Sequence, residues 1–198
     1  MSTTGSEDDV SILAMSGSGR AGSPNTALLH AARELAPAGV TIEIHEGLTQ
    51  VPRYDRDEDT ESRLPPAARD LRAAVAKADG LLIATGELAF AVPEVVRTAL
   101  AWLVRPAMSA PLLCKDVAVI GVSPGGFGTV RGQVALRQLL AGYGHRVLRG
   151  PELLVSAAHD RFDRGGHLID HQTAQRLREV LAALREQIVH GEGPGGTR

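Results

Sequence analysis

Short, continuous apolar runs alternate along this chain with longer stretches in which apolar residues recur at helical spacing. Val10 to Met15 (VSILAM) is the first run, and the Ser- and Gly-rich stretch from Ser16 to Ser23 follows at once, so a buried strand entering a loop is predicted. Leu28, Ala32 and Leu35 then share one helical stripe, with Ser23 placed as an N-cap and Pro24 at the first helical position. Gly39 ends this helix, and Val40 to His45 (VTIEIH) alternates apolar with polar side chains, the pattern of a strand near a sheet edge. The chain turns polar from Gln50 to Ser62, which reads as a long loop. Pro65 and Pro66 then introduce a helix with Leu64, Ala68, Leu71, Val75 and Ala78 on one side.

Gly80 to Thr85 (GLLIAT) and Asp116 to Val122 (DVAVIGV) are unbroken apolar runs, as expected of central parallel strands covered on both faces. Between them, Val92, Val96, Ala99, Leu100 and Leu103 mark a helix opened by Pro93. After the second run, Val134, Leu139 and Leu140 mark another. Val147 to Leu148, or Leu153 to Val155, supplies a fifth strand, and Ala174, Leu177, Leu181, Leu184 and Ile188 mark a last helix starting near Asp170. Strands alternating with helices require crossover connections, hence a parallel sheet. The expected architecture is α/β: a flavodoxin-like, doubly wound, five-stranded parallel sheet of order 2-1-3-4-5 with helices on both faces. One domain is expected over residues 10–190, flanked by flexible tails at 1–9 and 191–198.

In such a sheet, ligands sit beyond the carboxyl ends of the strands where the winding reverses. The loops after strands one, three and four should therefore border one crevice. The first offers hydroxyls from Ser16, Ser18, Ser23 and Thr26, the Asn25 amide, the Arg20 guanidinium and backbone N–H groups at a helix start, a donor set suited to a phosphate dianion. Gly17, Gly19 and Gly22 also match the dinucleotide pattern G-x-G-x-x-G, with Glu43 or Glu46 as ribose acid. That motif starts its helix within the glycine run and would trap Pro24 inside it, at a cost of roughly 3 kcal/mol. A helix capped at Ser23 accepts Pro24 without strain, which favours a monophosphate cradle. The loop after strand four, Ser123-Pro124-Gly125-Gly126-Phe127-Gly128, has paired glycines that let a flat ring approach the main chain. By loop chemistry alone a tight turn with Phe127 filling core is the commoner use of such residues.

Composition narrows the function. With 21 Lys plus Arg against 23 Asp plus Glu in 198 residues, the net charge of −2 provides no field for a nucleic acid backbone. No segment reaches membrane-spanning length and the N-terminus lacks the features of a secretory signal. Cys114 is the only cysteine, so no intrachain disulfide forms and a thiolate-built metal site is not expected; a cytoplasmic location fits. Cys114 reads as an ordinary semi-buried thiol, Trp102 as core, Met108 as a residue near the crevice ligand or an oligomer partner, and His159 as surface. His167 and His171 read as parts of a solvated turn ahead of a helix capped by Asp170, not as metal ligands. No metal site and no catalytic nucleophile–base pair is expected.

These motifs together resemble the NADPH-dependent FMN reductase family, which includes quinone, azo and chromate reductases. The similarity runs from about Val10 to Val189. It is carried by G-S-G-R-A-G-S-P-N-T at 17–26, P-E-V-V-R-T-A-L-A-W from Pro93 to Trp102, and S-P-G-G-F-G at 123–128. The resemblance implies a flavin mononucleotide (FMN) cofactor, NADPH or NADH as donor, a small-molecule electron acceptor, and a homodimer or homotetramer. By position, Ser18, Arg20, Ser23, Asn25 and Thr26 would hold the phosphate, and Gly125, Gly126 and Phe127 would border the isoalloxazine. After the third strand the family reads T-P-E-Y-N, whereas this chain reads Thr85-Gly86-Glu87-Leu88-Ala89-Phe90. Glu87, Leu88, Ala89 and Phe90 are expected as flavin neighbours, with Phe90 either replacing the missing tyrosine ring or packing internally. The expected activity is FMN-dependent reduction of a flavin, quinone or similar acceptor by NAD(P)H. The alternative is a flavin-binding or flavin-free interaction protein with little turnover.

Overall fold

The computed structural model describes residues 9–87, 91–105, 111–112 and 114–191. Parallel pairing places five strand positions in the order β2 (Val40–Ile44), β1 (Val10–Ser16), β3 (Gly80–Ala84), β4 (Asp116–Val122) and β5 (Arg146–Val147), as the hydrophobic pattern predicts. The fifth position holds two strands in series. β5 pairs with the start of β4 through Asp116 and Val117, while β6 (Leu153–Val155) pairs with its end through Ile120, Gly121 and Val122. Strands therefore form at both candidate places, the first one residue earlier than expected, and among the described residues the sheet has six strands where five were expected.

Alternation along each strand builds two cores. Ile12 and Ala14 of β1, Leu82 and Ala84 of β3, and Ala118, Ile120 and Val122 of β4 face α1 (Pro24–Glu34) and α6 (His171–His190). Leu13, Met15, Leu81, Ile83, Val117 and Val119 point the other way, against α2 (Pro66–Lys77), α3 (Glu94–Leu103) and α4 (Val130–Gly142). Side chains of period two on strands covered on both faces account for the unbroken apolar runs. β2, at the edge, keeps only Ile42 fully buried, in agreement with its mixed sequence.

Two details depart from the predicted stripes. On α4 the buried positions are Gly132, Gln133, Leu136 and Leu140, and Val134 is 47% exposed; the helix is rotated from the face that Val134 suggested. Gln133 tolerates burial because its amide donates to Thr129 Oγ1 (3.0 Å) and to the carbonyl of Leu153 (2.8 Å). Cys114 is exposed rather than semi-buried. The long polar loop is pinned: Trp102 Nε1 donates to the Pro52 carbonyl (2.8 Å), its ring meets Tyr54 edge-on, and Arg72 pairs with Asp59 (2.7 Å). The guanidinium holds the Asp59 carboxyl below its usual range.

Gly121 lies where β4, β3 and α4 meet. A Cβ there would collide with Thr129 Oγ1 and the Thr85 carbonyl, neither of which can swing away freely. Gly121→Ala is expected to destabilise the fold by about 1–3 kcal/mol, the scale of overpacking, as read by urea denaturation.

Candidate flavin site

The registers Ser16 with Ala84 and Ala84 with Ile120 bring the ends of β1, β3 and β4 side by side. From β1 the chain passes through α1 to β2 on one side, and β3 continues to β4 on the other, so the winding reverses at this edge. The first loop is held tightly to it. Gly17 N–H donates to the Ala84 carbonyl (2.7 Å), and a Cβ on Gly17 would lie 3.0 Å from that oxygen and 3.2 Å from Val96 Cγ2. Ser16 and Thr26 join their hydroxyls across the loop (2.8 Å), and Arg20 N–H donates to Ser18 Oγ (3.3 Å).

Ser23 is the N-cap residue of α1, but its side chain makes no capping bond, so its hydroxyl is not spent on the helix. Pro24 takes the first helical position as predicted. No acidic residue lies in the first turn, and the N–H groups of Asn25 and Thr26 have no acceptor within the helix. The Arg20 side chain is exposed and makes no ion pair or side-chain hydrogen bond with the described residues. The loop thus combines a helix-dipole positive end, hydroxyls and an unengaged guanidinium, with no carboxylate between 16 and 26.

Asn25 does something the sequence did not reveal. Its buried amide spans to β4, Nδ2 donating to the Val122 carbonyl and Oδ1 accepting from Val122 N–H, each at 3.0 Å. Its side chain fixes the cradle to the sheet, and its main-chain N–H is what it presents at the helix start.

In the second loop, the Glu87 carboxylate accepts from Arg131 N–H (3.2 Å) and Gly132 N–H (3.3 Å), so it caps α4 from a distance. Gly132 lets the loop come close, since a Cβ there would stand 2.9 Å from the Gly86 carbonyl. Leu88, Ala89 and Phe90, and also Met108, lie outside the described residues.

The third loop is tied to the chain after β6: Ser123 N–H donates to the Val155 carbonyl (2.9 Å) and Ala157 N–H to the Gly125 carbonyl (3.2 Å). Ser123 Oγ donates to the Gly125 carbonyl (3.3 Å), and Pro124 turns toward α1. A Cβ added at Gly126 would meet nothing within 4 Å, and one at Gly125 only Ser123 Oγ at 4.0 Å. The paired glycines are therefore not required by packing. Phe127 is 86% exposed, which overturns its use as core filling and leaves its aromatic ring open in the loop after β4. An open glycine shelf, an exposed ring and a phosphate cradle fit the three parts of FMN. His159 and His167 are exposed and line the hollow beside the start of α1, and His171 opens α6 behind Asp170, whose carboxylate accepts from Thr173 N–H (2.8 Å) as a cap.

Fold and crevice define a flavodoxin-like flavoenzyme. Residues 10–160 match the NADPH-dependent FMN reductase family, and the chain belongs to it. An NAD(P)H-dependent FMN reductase of Pseudomonas aeruginosa is 36% identical over 178 residues, covering 90% of this chain and 95% of that protein. A quinone reductase of Escherichia coli K12 is 30% identical, covering 91% and 96%. Among solved structures, a flavoenzyme NAD(P)H:(acceptor) oxidoreductase from Paracoccus denitrificans superposes with a TM-score of 0.82 at 25% identity, covering 91% of this chain and 97% of that one. The protein is an NAD(P)H-dependent oxidoreductase with FMN as its flavin.

Proposed function

We propose that this protein reduces a small planar acceptor, a quinone or a free flavin, with electrons drawn from NAD(P)H through FMN held in the crevice. One observation carries this: an anion cradle without carboxylates and an open glycine shelf beside an exposed Phe127 lie at one sheet edge. FMN, when bound, supplies the two-electron chemistry between donor and acceptor. For a quinone, one hydride from NAD(P)H and one proton from water give the hydroquinone and NAD(P)+. The chain's own residues position. Ser18, Arg20, Ser23 and the N–H groups of Asn25 and Thr26 hold the phosphate. Gly125 and Gly126 admit the ring, and Phe127 flanks it. Glu87 braces the second loop against α4, so that the crevice keeps its width.

The names of the similar reductases from Escherichia coli and Pseudomonas aeruginosa support quinone and flavin as acceptor classes. Val130, Val134 and Leu154 are exposed and suit burial against a second copy, in keeping with a homodimer or homotetramer in the cytoplasm.

Gly126→Val tests the shelf. Because the space at Gly126 is open, the variant should unfold at the wild-type urea midpoint. It should bind FMN about tenfold or more weakly, since the new side chain occupies the ring's place. Purified wild-type protein should be yellow and oxidise NADPH with added quinone. Stoichiometric FMN with negligible NADPH oxidation across quinones and flavins would overturn the reductase assignment.

A further inference from the structure

The cradle opens on its far side into a second hollow. A cavity of about 710 Å³ lies between α1 and the segment that follows β6, in the size range of small-ligand sites, and it shares Ser23 and Thr26 with the cradle. FMN ends at its phosphate, so a mononucleotide that fills the crevice leaves this cavity unused.

The outer wall is rigidly built although it is a turn. Beyond α5 (Ala158–Arg161), Phe162 bridges to Leu168, and Asp163 organises the residues between them. Its carboxylate accepts from Gly165 N–H (2.8 Å) and His167 N–H (2.9 Å) and bonds His167 Nδ1 (3.1 Å). Arg161 ties the base of the turn to Asp170 (2.9 Å). Gly166, at φ +82°, is the conformational requirement of the turn, and its open side faces Ala27 of α1, with 3.8 Å from an added Cβ to Ala27 Cβ. The wall is set by bonds within itself, so the hollow exists before any ligand arrives.

Its lining combines an aromatic side chain with polar groups. Phe162 is half-buried and offers a flat apolar face, while His30 on α1 and His167 and Arg164 on the turn supply donors at the mouth. Glu34 and Asp163 keep the cavity from being strongly basic, so a ligand with all its charge inside it fits poorly. A ligand whose phosphates lie at the Ser23 end and whose uncharged base lies deeper fits well. We infer that this cavity receives the adenylate half of FAD, the diphosphate spanning the start of α1, so that the protein holds either flavin nucleotide. This extends the flavin crevice proposed above and rests on it.

The test is titration of the flavin-free protein with FMN, FAD and riboflavin, followed by flavin fluorescence, for the wild type and two surface variants. FAD should bind within about tenfold of FMN. His30→Trp, which fills the cavity from an exposed helix position, and Arg164→Ala should each weaken FAD about tenfold while leaving FMN unchanged. FAD binding about a hundredfold weaker than FMN, or variants that change both flavins alike or neither, would overturn the inference and leave the crevice standing. Failure of FMN itself to bind would instead overturn the flavin crevice, and this extension with it.

Discussion

Asn25→Ala is expected to lower the stability of the protein by about 2–6 kcal/mol and to weaken FMN binding together with it. The magnitude follows from what the substitution leaves behind. Asn25 satisfies both the N–H and the carbonyl of Val122 at 3.0 Å, and Val122 is buried in the α1-side core. Alanine abandons both main-chain groups where water has little access, at about 1–3 kcal/mol for each unsatisfied group. For a domain of this size, at roughly 2–4 °C per kcal/mol, that is a fall in melting temperature of roughly 4–24 °C. Asn25→Asp keeps one acceptor but turns a second oxygen toward the Val122 carbonyl and places negative charge at the anion cradle. Its FMN affinity should fall further than that of the alanine variant. Calorimetry and flavin titration on the same preparations check both effects; an alanine variant as stable as the wild type would refute the clamp.

Arg20→Ala separates binding from stability. The guanidinium touches no described partner, so its loss should leave the unfolding midpoint within experimental scatter. A charge-assisted hydrogen bond to the phosphate is worth about 1.5–3 kcal/mol, so FMN should bind roughly ten- to a hundredfold more weakly. Arg20→Lys should recover part of the loss, since the ammonium keeps the charge but not the forked donor geometry. The deficit should shrink as salt is added, because Arg20 is exposed and its attraction is screened. An affinity unchanged by Arg20→Ala would remove Arg20 from the cradle.

The sheet was legible in the sequence because parallel strands covered on both faces carry continuous apolar runs, and β1, β3 and β4 do. The division of the fifth position was not, since Arg146–Val147 and Leu153–Val155 are each too short to show a period. The rotation of α4 escaped for a related reason. Its buried face holds Gly132 and Gln133, which hydropathy reads as polar. At the site, the composition of the loop 16–26 named the available donors but not which of them the protein uses on itself. The amide of Asn25 is spent on β4, the hydroxyls of Ser16 and Thr26 on each other, and the carboxylate of Glu87 on α4. The Asn25 and Glu87 engagements join residues far apart in the chain, and no local pattern encodes them. Phe127 shows the same limit in reverse: an aromatic residue beside glycines reads as packing, and only the fold reveals that it stands in the open. The cavity beside α1 is likewise invisible in the sequence, because its walls come from opposite ends of the chain.

A phosphate seated at the start of α1 is the anchor of the flavin site, and comparing FMN with riboflavin tests this without altering a residue. The two share the ring and the ribityl chain and differ only in the phosphate. Several charge-assisted bonds and a helix N-terminus meet that group, so riboflavin should bind the flavin-free protein about a hundredfold or more weakly than FMN. Equal affinity for the two flavins would contradict the cradle.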